Sequence, residues 1–184
     1  MKRIILLLVP VLLLSGCAGD GLQEQALAIR SSCLGARECR FQAEITADYI
    51  DSVEEFTLDC VTDSDGILTF TVESPEAIAG ITGTVSGEEG TLIFDDQILG
   101  FPLMAEDRLS PVSAPWIAMK ALRSGYLRAY VQEGDLLHLT VDDSYADDAL
   151  TVEVWARDGI PVAAEIAWQG RRAVSMEIEN FTFG

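Results

Sequence analysis

Strict alternation of apolar and polar residues, sustained over two long stretches, is the feature that most restricts the fold of this chain. In residues 39–49 the odd positions Cys39, Phe41, Ala43, Ile45, Ala47 and Tyr49 are apolar, and Gln42, Glu44, Thr46 and Asp48 separate them. Successive side chains of a strand point to opposite faces, so a period of two spells a strand with one buried and one wet face. The rhythm continues in residues 56–60, 68–72, the thin, glycine-containing 81–86, and 91–95. Asp51-Ser52, Asp65-Gly66, Ser74-Pro75 and residues 87–90 supply the turns. Strands at such short spacing form an antiparallel meander. A second meander is written in residues 127–132, 136–142, 150–155, 162–168 and 174–178, with the turn signals Glu133-Gly134-Asp135, Asp158-Gly159 and Gln169-Gly170. Its phase slips at Asn180, which puts Phe181 and Phe183 on the other parity and predicts a bulge or frayed end.

Each meander follows a helical pattern. Leu22, Ala26, Ile29 and Cys33 recur at steps of three and four over residues 22–34, and Gly35 closes that helix. Residues 116–122 form the body of the second, opened by Ser110-Pro111 or Ser113-Ala114-Pro115, with Arg123 near its end and Gly125 as its stop. Residues 100–110 read as irregular, with Phe101-Pro102 and Glu106-Asp107 as loop signals. The predicted fold is mainly β, of the α+β class, with about ten strands in two runs and a helix before each run.

The N-terminus carries an address. Lys2 and Arg3 precede an apolar run over residues 4–14, broken only by Pro10. At 1.5 Å per residue the run covers about half of a hydrocarbon core of roughly 30 Å, so it is a signal-peptide core and not a spanning helix. It ends in Leu14-Ser15-Gly16-Cys17, which resembles a bacterial lipobox, the cysteine of which is acylated after cleavage just before it. The organisation read from sequence is a lipoprotein signal peptide at 1–16, a lipidated Cys17 with a short tether at 17–21, and one domain at 22–184. The protein then meets the bilayer through acylated Cys17, on the extracytoplasmic face of the cell membrane.

Charge supports the lipid anchor. The chain holds 30 acidic and 12 basic residues, a net charge of −18, and cleavage removes Lys2 and Arg3 as well. Such a body is repelled by an anionic leaflet, so acyl chains and not a polybasic patch must hold it there. Nucleic acid is excluded as a partner on the same ground. Setting Cys17 aside, Cys33, Cys39 and Cys60 remain, an odd number for an exported chain, which predicts one disulfide and one free thiol with three possible pairings.

The order of lipobox, helix, meander, loop, helix and meander resembles the LolA-like superfamily of LolA and LolB lipoprotein carriers and RseB-type sensors. Gly159-Ile160-Pro161 followed by Glu165-Ile166, then Gly170 and Ile178-Glu179-Asn180-Phe181, resembles that family's finish. Ile45-Thr46-Ala47-Asp48-Tyr49 is similar to the first strand pair of such lipoproteins. The resemblance implies a strongly curved antiparallel sheet, an unclosed half-barrel whose concave face is covered by helices. It implies a lipid or other apolar ligand held inside, bound by Phe41, Phe56, Leu58, Phe70, Phe94, Ile166, Trp168 and Met176 on the sheet and Trp116, Ile117 and Met119 on the lid. The anchor departs from a diffusing carrier and favours a receptor, or alternatively an RseB-like sensor that binds an envelope protein.

Chemistry-bearing motifs are sparse. Nucleophile elbows, paired-histidine zinc motifs and phosphate loops are absent from the sequence, so no cofactor or metal is expected. His138 is the single histidine and reads as an ordinary strand residue; an enzyme would need it beside two acids in a cleft. Asp63-x-Asp65-Gly66 lacks the later ligands of a calcium loop and reads as a hairpin turn. Asp95-Asp96, Asp142-Asp143, Asp147-Asp148, Glu54-Glu55 and Glu88-Glu89 read as solvated turns and faces, and Arg171-Arg172 as a patch too small for nucleic acid.

Overall fold

Both meanders form, and the last strand of the chain lies against the first. The computed structural model describes residues 18–184 apart from 50, 88, 96, 106, 107, 147 and 148, with side chains from Gly21 onward. The signal peptide, Cys17, Ile50, Glu88, Asp96, Glu106, Asp107, Asp147 and Asp148 therefore lie outside the described residues. The first meander comprises β1 (Glu38–Asp48), β2 (Val53–Asp63), β3 (Leu68–Ser74), β4 (Thr82–Ser86), β5 (Glu89–Phe94) and β6 (Gln97–Pro102). A small separate hairpin of β7 (Met104–Ala105) and β8 (Arg108–Leu109) follows. The second meander comprises β9 (Tyr126–Glu133), β10 (Leu136–Asp142), β11 (Thr151–Arg157), β12 (Ile160–Trp168) and β13 (Arg171–Phe183).

All but the small hairpin join in one eleven-stranded sheet, in the order β6-β5-β4-β3-β2-β1-β13-β12-β11-β10-β9. The sheet is curved and unclosed, as the LolA resemblance implied. Its centre is the antiparallel pair β1–β13, where Ala43 faces Ile178, Ile45 faces Met176 and Ala47 faces Val174. The bulge expected at Asn180 is present: Asn180 has φ 54° and the register shifts between Arg40 and Gln42. The extra residue returns Phe181 to the buried side, where its ring stacks on Phe41 at 5.4 Å between centroids.

Two helices cover the buried face. Helix α1 (Ala18–Gly35) packs on α2, β9 and β10, and α2 (Ala114–Ser124) reaches β2, β10, β11 and β12. The two proline signals before α2 are both used. Pro111 opens a 3-10 turn and Pro115 sits in the first turn of the helix, where a missing N–H costs nothing. Helix α1 starts four residues earlier than its apolar spacing predicts, so residues 18–21, read as a tether, are helical.

Other departures from the sequence reading have local causes. Residues 97–102 form β6 because Ile98 and Leu99 pair with Ile93 and Leu92 of β5. Both faces of β6 are exposed, so the strand carries no alternation to read. Phe94, expected on the concave face, ends β5 with 55% of its surface exposed. Trp168 is only half-buried, because a register shift between Ile166 and Ala167 takes the end of β12 out of the inward row. Val162 is displaced by a similar shift between Trp155 and Ala156, and Pro161 is buried in its place. The thin strand β4 is explained by packing: a Cβ on Gly83 would lie 2.5 Å from the Phe70 ring.

These contacts predict a contrast. Phe41→Ala empties a fully buried site in the central pair and is expected to lower unfolding free energy by about 3–5 kcal/mol. Phe94→Ala, at an exposed site, is expected to change it by about 0.5 kcal/mol or less. Urea titration followed by circular dichroism measures both.

Candidate functional site

The inward rows of the sheet and the lower faces of the helices make one continuous apolar core. Phe41, Leu58, Phe70, Ile117, Met119, Ile166 and Met176 are buried in it, Trp116 nearly so, and Phe56 packs against its margin. The side chains expected to line a cavity thus fill the interior with one another. Two openings lie beside the helices, and a third, of about 420 Å³, lies on the sheet against Glu44, Thr46, Trp155 and Met176.

One recess of about 430 Å³ lies between α1 and the β9–β11 region. Ala28, Ile29, Leu137 and Ala156 give it an apolar floor, and Gln25, Ser32, Gln132, Asp135 and Asp158 a polar border. A second, of about 550 Å³, lies at the other end of α1 and is bordered by Leu34, Thr62, Trp116, Lys120 and Arg123 together with the turns at Asp65-Gly66 and Ser86-Gly87. Of the side chains expected to bind a ligand, Trp116 borders the second recess and the rest border neither. Trp168 instead borders a small gap of about 10 Å³ with Tyr49, Met104 and Leu109. There the β7–β8 hairpin is pinned down: the Tyr49 hydroxyl donates to the Leu109 carbonyl at 2.8 Å, and Arg108 pairs with Asp51 at 3.0 Å.

The two helices are held unequally. Helix α2 buries Trp116, Ile117, Met119 and Leu122. Helix α1 buries Ala26, Ile29 and Cys33, with Leu22 at the margin. Burying one large apolar side chain contributes about 1.5–3 kcal/mol, so α1 is much the more weakly attached. Its side-chain hydrogen bonds to the rest of the fold, among the described residues, are long: Arg30 to the Arg123 carbonyl at 3.5 Å and Tyr130 to Gln23 at 3.4 Å.

His138 does lie between two acids, on the sheet face opposite the core. Its Nδ1 is 2.9 Å from Glu133 Oε1 and its Nε2 is 2.6 Å from Glu153 Oε2. The ring stacks on Trp155 at 4.5 Å, and the Thr140 hydroxyl donates to Glu153 at 2.8 Å. The Trp155 indole and the imidazole together hold the Glu133 carboxyl below the usual carboxylate range. Both ring nitrogens are engaged by carboxylates, and the cluster ties β9, β10 and β11 together. Its Trp155 borders the recess of about 420 Å³ on the sheet.

The expected disulfide is not formed. Cys33, Cys39 and Cys60 are free and buried. Cys39 faces Thr62 across the β1–β2 ladder and Cys60 faces Phe41, so these two are diagonal neighbours. Diagonal Cα atoms stand about 7–8 Å apart, beyond the usual disulfide span. Burial pushes the Cys33 thiol up to about 12, raises Cys39, and raises Cys60 further. The folded chain thus keeps all three neutral, while an unfolded chain ionises them at about 8.5. The stability this lends is complete below that pH and is lost as pH climbs toward the folded value. At pH 8 a water-soluble disulfide reagent is expected to leave the native thiols unmodified and, after unfolding in urea, to titrate three.

The comparisons with known proteins bear on both ends of the chain. Residues 1–18 match the family model of the prokaryotic membrane lipoprotein lipid attachment site. No curated protein sequence matches the chain. Among solved structures, a conserved protein from Thermus thermophilus is similar at 11% identity and TM-score 0.50, over 89% of this chain and 88% of that one. A LolA superfamily protein from Nitrosomonas europaea is similar at 9% identity and TM-score 0.46, over 86% and 93%. The lipoprotein LppX from Mycobacterium tuberculosis is similar at 12% identity and TM-score 0.45, over 89% and 96%. At such identities the likeness is one of fold alone. The N-terminus thus carries a lipid attachment site, which implies membrane association, and the body is a curved, unclosed antiparallel sheet covered by two helices. Among the described residues no helix is long and apolar enough to cross a membrane.

Proposed function

We propose that this lipoprotein sits on the extracytoplasmic face of the membrane and binds a lipid or other apolar ligand beneath helix α1, without chemical conversion of it. The observation that carries this reading is the thin attachment of α1 over a continuous apolar core, with a recess already open along its flank. A volume of about 430 Å³ falls within the range of ligand pockets. An alkyl chain entering there meets Ile29, Leu137 and Ala156 and displaces α1 as it advances toward Phe41, Leu58, Phe70 and Ile166. Affinity comes from buried methylene groups, at about 0.8 kcal/mol each, set against the side chains of α1 that give way. Anchorage at Cys17, next to the first turn of α1, keeps this entrance near the bilayer that supplies such ligands.

Amides of α1 are expected to exchange with deuterium faster than those of β1 and β13, and faster still when a bound ligand displaces the helix. Native mass spectrometry of the lipoprotein extracted from membranes is expected to show co-purified lipid. An empty protein that also ignores a fluorescent fatty-acid probe would overturn the reading.

A second reading rests on the free edge of the sheet. On β6, Ile98 is 71% exposed and Leu99 57%, so an extended segment of an envelope protein has an apolar edge to pair with. Crosslinking in cells that captures one dominant protein at β6, and no lipid, favours this sensor-like role.

A further inference from the structure

The second recess differs from the first in its chemistry. This acidic chain has one lysine beyond Lys2, and it is here: Lys120 borders the recess together with Arg123. The Lys120 ammonium lies over the Trp116 ring at 5.2 Å and meets Asp143 only at 3.9 Å, which leaves it available to a stronger anionic partner. Arg123 is fixed in place. Its Nη1 donates to the Asp63 carbonyl at 2.7 Å and its Nη2 to the Ser64 carbonyl. Behind it, Arg30 donates to the Arg123 carbonyl.

Thr62 stands in the inner wall with its hydroxyl fully buried, out of a ligand's reach. The remaining wall includes the Trp116 ring and Leu34, an exposed leucine at the end of α1. Two cations and an apolar strip together match a molecule with a small anionic head and an alkyl tail. The one carboxylate bordering the recess, Asp65, lies on the turn beyond Arg123, and the acidity of the remaining body is screened within about 8 Å at physiological salt.

We propose that this recess binds the anionic head of an amphiphile: a carboxylate or phosphate is held by Lys120 beside Arg123, and the tail lies along Trp116 and Leu34. The site is separate from the entrance beside Ile29 and goes beyond the apolar-ligand reading. Quenching of tryptophan fluorescence by short brominated amphiphiles tests it on the full lipoprotein in phosphatidylcholine nanodiscs. 6-Bromohexanoate is expected to quench saturably, with a Kd at least ten-fold below that of neutral 6-bromohexanol, and Trp116→Phe removes that quenching. Lys120→Met is expected to abolish the ten-fold preference. Hexyl phosphate is expected to displace the probe at concentrations where inorganic phosphate does not.

Equal binding of the acid and the alcohol would overturn the head-group assignment while co-purified lipid still upheld the broader function. Displacement by inorganic phosphate as effective as by hexyl phosphate would reduce the recess to a simple anion site and overturn the amphiphile. Unchanged preference in Lys120→Met would overturn it equally.

Discussion

The fold depends on one non-local pairing. Strands β1 and β13, from opposite ends of the chain, form the middle of the sheet, and every other strand of that sheet is added outward from them by turns. Without that pair the two meanders would be separate sheets, each with an unpaired edge at its centre and half a core. The pair is secured by its buried row, Ala43, Ile45 and Ala47 against Ile178, Met176 and Val174, and by the stacked rings of Phe41 and Phe181. Its long loop closure makes it costly to form, and the buried apolar contacts on its inner side are what offset that cost.

A half-barrel built this way needs a cover. Helix α2, with four large side chains in the core, belongs to the structure as firmly as the strands do. Helix α1 does not, and the inequality shapes the functional reading. The interior is filled by the protein's own side chains, so on the proposed reading ligand binding is a competition between an alkyl chain and the inner face of α1. Position relative to the anchor reinforces this, because α1 is also the element adjoining the lipid attachment site.

Much of this was legible in particular residues. The inward rows of β1, β2, β3, β10 and β13 followed from alternation, and the slip at Asn180 correctly announced the bulge that buries Phe181. Strand β6 was not legible, because Ile98 and Leu99 are adjacent apolar residues at an edge where neither face is buried. Phe94 and Trp168 were misplaced for related reasons: a strand end and a register shift each break the link between parity and burial. The recess beside Lys120 was not legible, because α2 and two distant turns bring its wall together and no local pattern contains that meeting.

The amino-acid order by itself determined the lipid anchor, the strand and helix identities and the side of each strand that turns inward, because these depend on contacts between near neighbours and on the partition of side chains between water and a core. Tertiary structure alone decided that β13 docks on β1, that the three thiols are free and buried, and that the space expected inside the sheet is filled while recesses open beside α1. Those outcomes are set by how volumes fit and by where distant segments meet, quantities that depend on the whole packed chain and have no period in its sequence.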